Sequence, residues 1–165
     1  MRKYSDEPEE RDAEEQCERD IQSCGLHVLK VTGDDEWPEF AYTVGLFHTF
    51  NHPEVIVLGL PGETAHVILN DLADAIRSGK RFAAGDQTED LLENYACKFL
   101  AVPPAQVAAH FGWALWYYGD NTFPALQPVY PDREHRWPGD EGVAAGFLRQ
   151  QPVLSTVAVP EWAAR

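Results

Sequence analysis

The stretch FAYTVGLFHTFNHPEVIVLGL, Phe40 to Leu60, constrains the fold more than any other part of this chain. Two apolar segments of strand length flank a short polar connection. Phe40 to Leu46 is rich in aromatic and β-branched residues, which pack well on a pleated surface. EVIVLGL is an almost unbroken apolar run, the pattern of a central strand buried on both faces. Between them, FHTFNHP predicts a loop, because the backbone ahead of Pro53 is biased away from helix.

The flanking sequence supplies the rest of a sheet and its helices. SDEPEERDAEEQCERDIQSCG predicts a surface helix, capped by Ser5 or Asp6, with Pro8 in its first turn and Gly25 at its end. Ala13, Cys17, Ile21 and Cys24 form its narrow apolar stripe. LHVLKVTGDDEWPEFAYTVGL predicts a hairpin turning at Gly33, Asp34 and Pro38. PGETAHVILNDLADAIRSG is the clearest helix, with Ala65, Ile68, Leu69, Leu72, Ala75 and Ile76 recurring at three-and-four spacing. A short strand is expected at KRFAAGDQ and another at NYACKFLAVP. PAQVAAHFGWALWYYG predicts one further helix, from Pro104 to Gly119. FPALQPVYPD predicts a final strand, placed near a sheet edge by its prolines. Residues 133–165 are rich in Pro and Gly and predict an irregular wrap.

Hairpin strands followed by helices predict an α+β fold: a mainly antiparallel sheet packed with two to three helices. The 165 residues match one domain. Residues 1–14 are expected to form an acidic, partly mobile segment, and residues 15–165 the domain. Five Trp, six Tyr and eight Phe give the core large side chains to bury. In FGWALWYYG, a helix apolar nearly all round predicts burial plus a partial dimer or partner surface.

The net charge of −14 disfavours nucleic acid and anionic membranes, which need basic patches. It suits solubility, or a basic partner protein. No apolar run approaches the roughly 18 residues of a membrane span. The start of the chain lacks the apolar core of a signal peptide. A cytoplasmic protein is expected. Cys17 and Cys24 would stand roughly 10 Å apart on a helix, too far for an unstrained disulfide. With Cys97 they are expected to be free thiols.

The segment from Trp37 to Lys80 resembles the bacterial family DUF4262, a domain of unknown function. The resemblance is carried by Phe40, Ala41, Tyr42, Thr43, Gly45 and Leu46. It continues through His52, Pro53 and Glu54 to Gly59 and Leu60, with an alanine- and leucine-rich helix after them. IQSCGLHVLKV is similar to the family's approach strand, although Leu26 stands where a Trp is usual. ALQPVYPDREHRWP and QPVL are similar to its later segments. The resemblance covers about residues 15–155 and implies a family without an agreed activity.

Two site readings attach to the central stretch. His48 and His52 have a four-residue spacing that binds zinc well on a helix. In a loop ahead of proline, with no glutamate between them, they are only weak metal candidates. The second reading is a pocket of Tyr42, Thr43, His52 and Glu54, in which the carboxylate orients the histidine for acid–base work. A structural reading outweighs it: Tyr42 as a core aromatic, His52 as a loop cap and Glu54 as a solvated strand edge. His66 and His110 are read as boundary residues on helices.

The leading expectation is therefore a soluble acidic module that binds a partner or ligand without catalysis, in the manner of small immunity or inhibitor proteins. Its partner would be a basic protein or a second copy, and no cofactor is expected. The alternatives are a small-molecule enzyme using the Tyr–His–Glu pocket, a flavin-binding domain like a split barrel, and a zinc-dependent hydrolase using His48, His52 and Glu54.

Overall fold

A computed structural model describes residues 4–164. The helix α1 (Pro8–Cys24) leads into strands β1 (His27–Val31) and β2 (Phe40–Val44). A short helix α2 (Leu46–Phe50) and strand β3 (Glu54–Leu58) follow, then α3 (Gly62–Arg77) and the hairpin β4 (Gln87–Leu92) and β5 (Tyr95–Ala101). Helices α4 (Pro104–His110) and α5 (Gly112–Tyr118), strand β6 (Ala125–Val129), helix α6 (Ala145–Gln150) and a 3-10 turn (Glu161–Ala164) complete the chain. The strands form one sheet in the order β1-β2-β3-β6-β5-β4. Every neighbouring pair is antiparallel except β3 and β6, which run parallel. The α+β fold is as expected, with a mixed sheet and more helices than the apolar periodicity revealed. No helix among the described residues is long and apolar enough to cross a membrane.

The sheet is covered on both faces, which is why β2 and β3 are buried along their whole length. Alternation along the strands divides the core in two. Phe40, Tyr42, Val44, Ile56 and Leu58 face α1, α4 and α5. Ala41, Val55, Val57, Phe99 and Leu126 face the apolar stripe of α3. The unbroken apolar run of β3 thus reflects a strand third from one edge, with a helical layer on either side.

At α1, Gly25 ends the helix in the left-handed conformation, with φ 94°. The expected cap at Ser5 or Asp6 does not form; Glu7 is the cap residue and makes no side-chain cap bond. Of the acidic segment 1–14, residues 1–3 lie outside those described, and residues from Pro8 onward are helical.

Four local expectations are corrected. The connection after β2 is not an irregular loop: Leu46–Phe50 makes a helical turn, bounded by left-handed Gly45 and Asn51. Proline restricts only the residue before it, so the helix can close at Asn51 and leave His52 extended into Pro53. The segment 80–86 is not a strand; strand pairing starts at Gln87. The helix expected over residues 104–119 breaks at Phe111, whose ψ is 48°. Finally, β6 is an interior strand. Its Ala125 carbonyl accepts from Val102 of the β5 side. By alternation Pro128 turns its nitrogen to the β3 side, where pairing has already ended at Leu126. The missing N–H therefore costs no ladder bond.

Candidate functional site

Glu54 begins β3 and has no exposed surface. Its carboxylate accepts from Thr43 Oγ1 at 2.8 Å, Tyr118 Oη at 2.5 Å, and the amides of Gly45, Leu46 and Phe47 at 3.0, 3.1 and 3.3 Å. The amides of Leu46 and Phe47 open α2 and have no partner within the helix. Glu54 is thus the cap that α2 takes from a neighbouring strand. Both hydroxyls are oriented as donors, because each accepts an amide itself: Thr43 from Val55 and Tyr118 from His48. Burial pushes the Glu54 carboxyl upward in pKa, and these donors pull against it. The same burial, together with the Glu54 charge, pushes the Tyr118 phenol upward. The expectation that Glu54 lies solvated at a strand edge is corrected: the glutamate is sealed beneath the α2 turn.

Tyr42 points to the α5 side of the sheet. Its hydroxyl accepts the Trp113 amide at 2.9 Å, near the start of α5, where the break at Phe111 leaves an amide without a helical partner. Its ring packs on Phe40 and Phe111. His52 is also buried, with a different set of neighbours. Its Nδ1 donates to the Pro53 carbonyl at 2.8 Å, and its Nε2 accepts the Phe82 amide at 3.1 Å. A carbonyl can only accept, so the tautomer is fixed. Burial lowers the His52 pKa and holds the ring neutral.

Of the four pocket candidates, Thr43 and Glu54 are brought together. Tyr42 and His52 share no hydrogen bond with Glu54 and have separate structural partners. His48 sits exposed on α2 against the Tyr117 ring, away from the buried His52. No group of three or more His, Cys, Asp or Glu side chains suited to a metal ion occurs among the described residues. In the FGWALWYYG segment, Phe111, Ala114 and Tyr117 are buried, while Trp113, Trp116 and Tyr118 are half-buried.

A different constellation stands out on geometry. A cavity of about 310 Å³ is walled by Trp37, Phe40, Tyr42, His110 and Trp162, with Asp34 beside them. The rings of Trp37, His110 and Trp162 pack mutually, with centroids 5.5 to 6.5 Å apart. Among the described residues, three buried side-chain polar atoms lack a hydrogen-bond partner: Trp37 Nε1, His110 Nε2 and Gln106 Oε1. Two of the three belong to walls of this cavity. His110 is only 3% exposed. Its Nδ1 donates to the Gln106 carbonyl at 3.0 Å, which leaves Nε2 as a bare acceptor. Burial lowers the His110 pKa, and the neutral ring keeps that lone pair. Trp37 Nε1–H can only donate. Larger cavities of about 340 to 560 Å³ exist elsewhere, and no unpartnered buried atom found among the described residues belongs to their walls.

Sequence reasoning missed this set. Trp37 lay inside a turn signal, His110 looked like a helix-boundary residue, and Trp162 stood in the irregular tail. Only the fold joins residues from the β1–β2 connection, the end of α4 and the last turn.

The chain matches a family described as Domain of unknown function (DUF4262) over residues 20–144. That span is well over half of its length, and the chain belongs to the DUF4262 family. The match takes in β1 to β6 and thus the whole sheet. No curated protein matches the chain, and no solved structure does.

Proposed function

We propose that this DUF4262 protein is a small-molecule-binding module that works without catalysis, and that its site is the aromatic cavity between Trp37, His110 and Trp162. One observation carries the reading: an unpartnered donor and an unpartnered acceptor, both buried, belong to rings in contact at the wall of one cavity. Buried polar groups are normally paired, and an apolar pocket with a few polar atoms is the usual form of a ligand site. Acid–base work by Tyr42, His52 and Glu54 finds no support, since those groups are committed to separate structural bonds. Binding of a basic protein has only the net charge of −14 behind it.

Ligand-observed NMR with a chemically mixed fragment set tests the reading. Polar binders to the folded wild-type protein should lose saturation transfer in His110→Phe, which removes the unpartnered acceptor. Fragments that bind the two proteins equally would place any site elsewhere.

A further inference from the structure

Resting on that reading, we infer that the cavity takes an uncharged planar ring bearing a carboxamide-type edge, its C=O set to accept from Trp37 Nε1–H and its N–H set to donate to His110 Nε2. The two unpartnered atoms have opposite roles, so one ligand group must both accept and donate. The carbonyl and N–H of an amide or lactam lie side by side on one edge. Each reaches a partner over about 2.9 Å. The Trp37 and His110 rings, 5.5 Å apart, are near enough to share such an edge. The remaining walls, Phe40, Tyr42 and Trp162, offer ring faces and edges to a planar body.

Other charge states fit less well. An anion meets the Asp34 carboxylate beside the cavity and a chain of net charge −14, and it offers His110 nothing to accept. A cation is drawn to aromatic faces and to Asp34. However, it leaves the Trp37 N–H without an acceptor. Asp34 is in any case engaged through Oδ1 with the amides of Glu36 and Trp37.

Both unpartnered atoms are closed off from solvent, so a ligand must displace a ring to reach them. Phe40 and Tyr42 are fixed on the buried strand β2, and His110 is tied to its own helix. Trp162 sits half-buried on the short 3-10 turn, outside the sheet and the longer helices, and is the wall we infer to move.

The test uses benzamide, N,N-dimethylbenzamide, toluene, benzylammonium and benzoate, titrated into ¹⁵N-labelled protein. The Trp37 indole signal is assigned through Trp37→Phe. Benzamide should move that signal downfield and bind about tenfold more tightly than toluene, the worth of one hydrogen-bonded pair. N,N-dimethylbenzamide, which keeps the carbonyl but has no N–H to give, should bind more weakly than benzamide. His110→Phe should reduce the benzamide advantage and leave toluene unchanged. The probe comparison on the wild type stands even if that variant misfolds. Equal binding of benzamide and toluene at the Trp37 signal would overturn the ligand class and leave the pocket reading intact. Preference for benzylammonium or benzoate would do the same. If none of the probes moves the Trp37 signal, and crystals soaked in benzamide show only water at the two atoms, both readings fall.

Discussion

Tyr118 and Glu54, 64 residues apart in the chain, meet in a part-buried hydrogen bond that closes the start of α2 from two sides. Glu54 takes the Leu46 and Phe47 amides, and Tyr118 takes the next, that of His48. Together they satisfy the first three amides of a five-residue helix that could not persist alone in water. Within Phe40 to Glu54, Thr43, the start of α2 and Glu54 thus share one structural task, a polar knot inside the sheet that Tyr118 completes.

Glu54→Gln tests that knot. The amide keeps the shape but turns an NH2 toward backbone amides that only donate and hydroxyls already oriented as donors. A loss of about 3 kcal/mol is expected from breaking a buried, charge-assisted set. Tyr118→Phe removes one hydroxyl from the same set and should cost about 1.5 kcal/mol. Urea denaturation of both single variants and the double variant gives the coupling. The double variant should lose less than the singles added together, because both act on one network. Simple additivity would contradict a shared knot.

Tyr42→Phe isolates the other side of the sheet. Its hydroxyl is the acceptor for the Trp113 amide. Loss of that acceptor should cost about 1 kcal/mol and raise the hydrogen-exchange rate of the Trp113 amide without moving β2. Unchanged exchange at Trp113 would show that Tyr42 does not hold α5.

Gly59 follows β3 at a φ of 83°, and a Cβ there would stand 2.1 Å from the Gln150 carbonyl oxygen. Gly59→Ala should destabilise by about 2 kcal/mol or more, through left-handed strain and displacement of α6. A thermal melt close to that of the wild type would mean that α6 is not held against this corner.

The two buried histidines set a pH dependence. Burial places the pKa values of His52 and His110 below the ordinary 6.5. As pH falls below about 6.5, the unfolded chain takes up protons that the folded chain refuses. Their contribution to stability is therefore complete above that pH. It shrinks as pH descends toward the lowered folded values, and is lost below them. Glu54, whose pKa burial raises, acts in the opposite sense, so the histidines' share is read by difference: between pH 7.5 and 5.5 the urea midpoint of the wild type should drop relative to that of the His52→Gln, His110→Gln double variant. A wild-type midpoint that rises relative to the double variant over that range would reverse the sign.

Much of the frame was legible because its signals are local. The apolar run of β3, the stripe of α3 and the stop at Gly25 each depend on residues within a few positions. What escaped depends on partners distant in sequence. Glu54 looks like a strand-edge acid until Tyr118 and the α2 amides arrive around it. The helix over residues 104–119 reads as continuous because its apolar period runs through Phe111, and only the Tyr42 hydroxyl reveals where the second helix needs a cap. The prolines of β6 suggest an edge, and only the early parting of β3 explains why an interior strand tolerates Pro128. Most of the cavity's walls lay outside the motif that drew attention, because composition gave Trp37, His110 and Trp162 no reason to be neighbours.

Crystallographic soaking with a mixed fragment set tests the central claim most directly. Fragments are expected to gather between Trp37 and His110, with Trp162 displaced and a polar group of the fragment bonded to both unpartnered nitrogens. Fragments collecting in the larger cavities, or a Trp37–His110–Trp162 cluster that stays closed at saturating concentration, would contradict it.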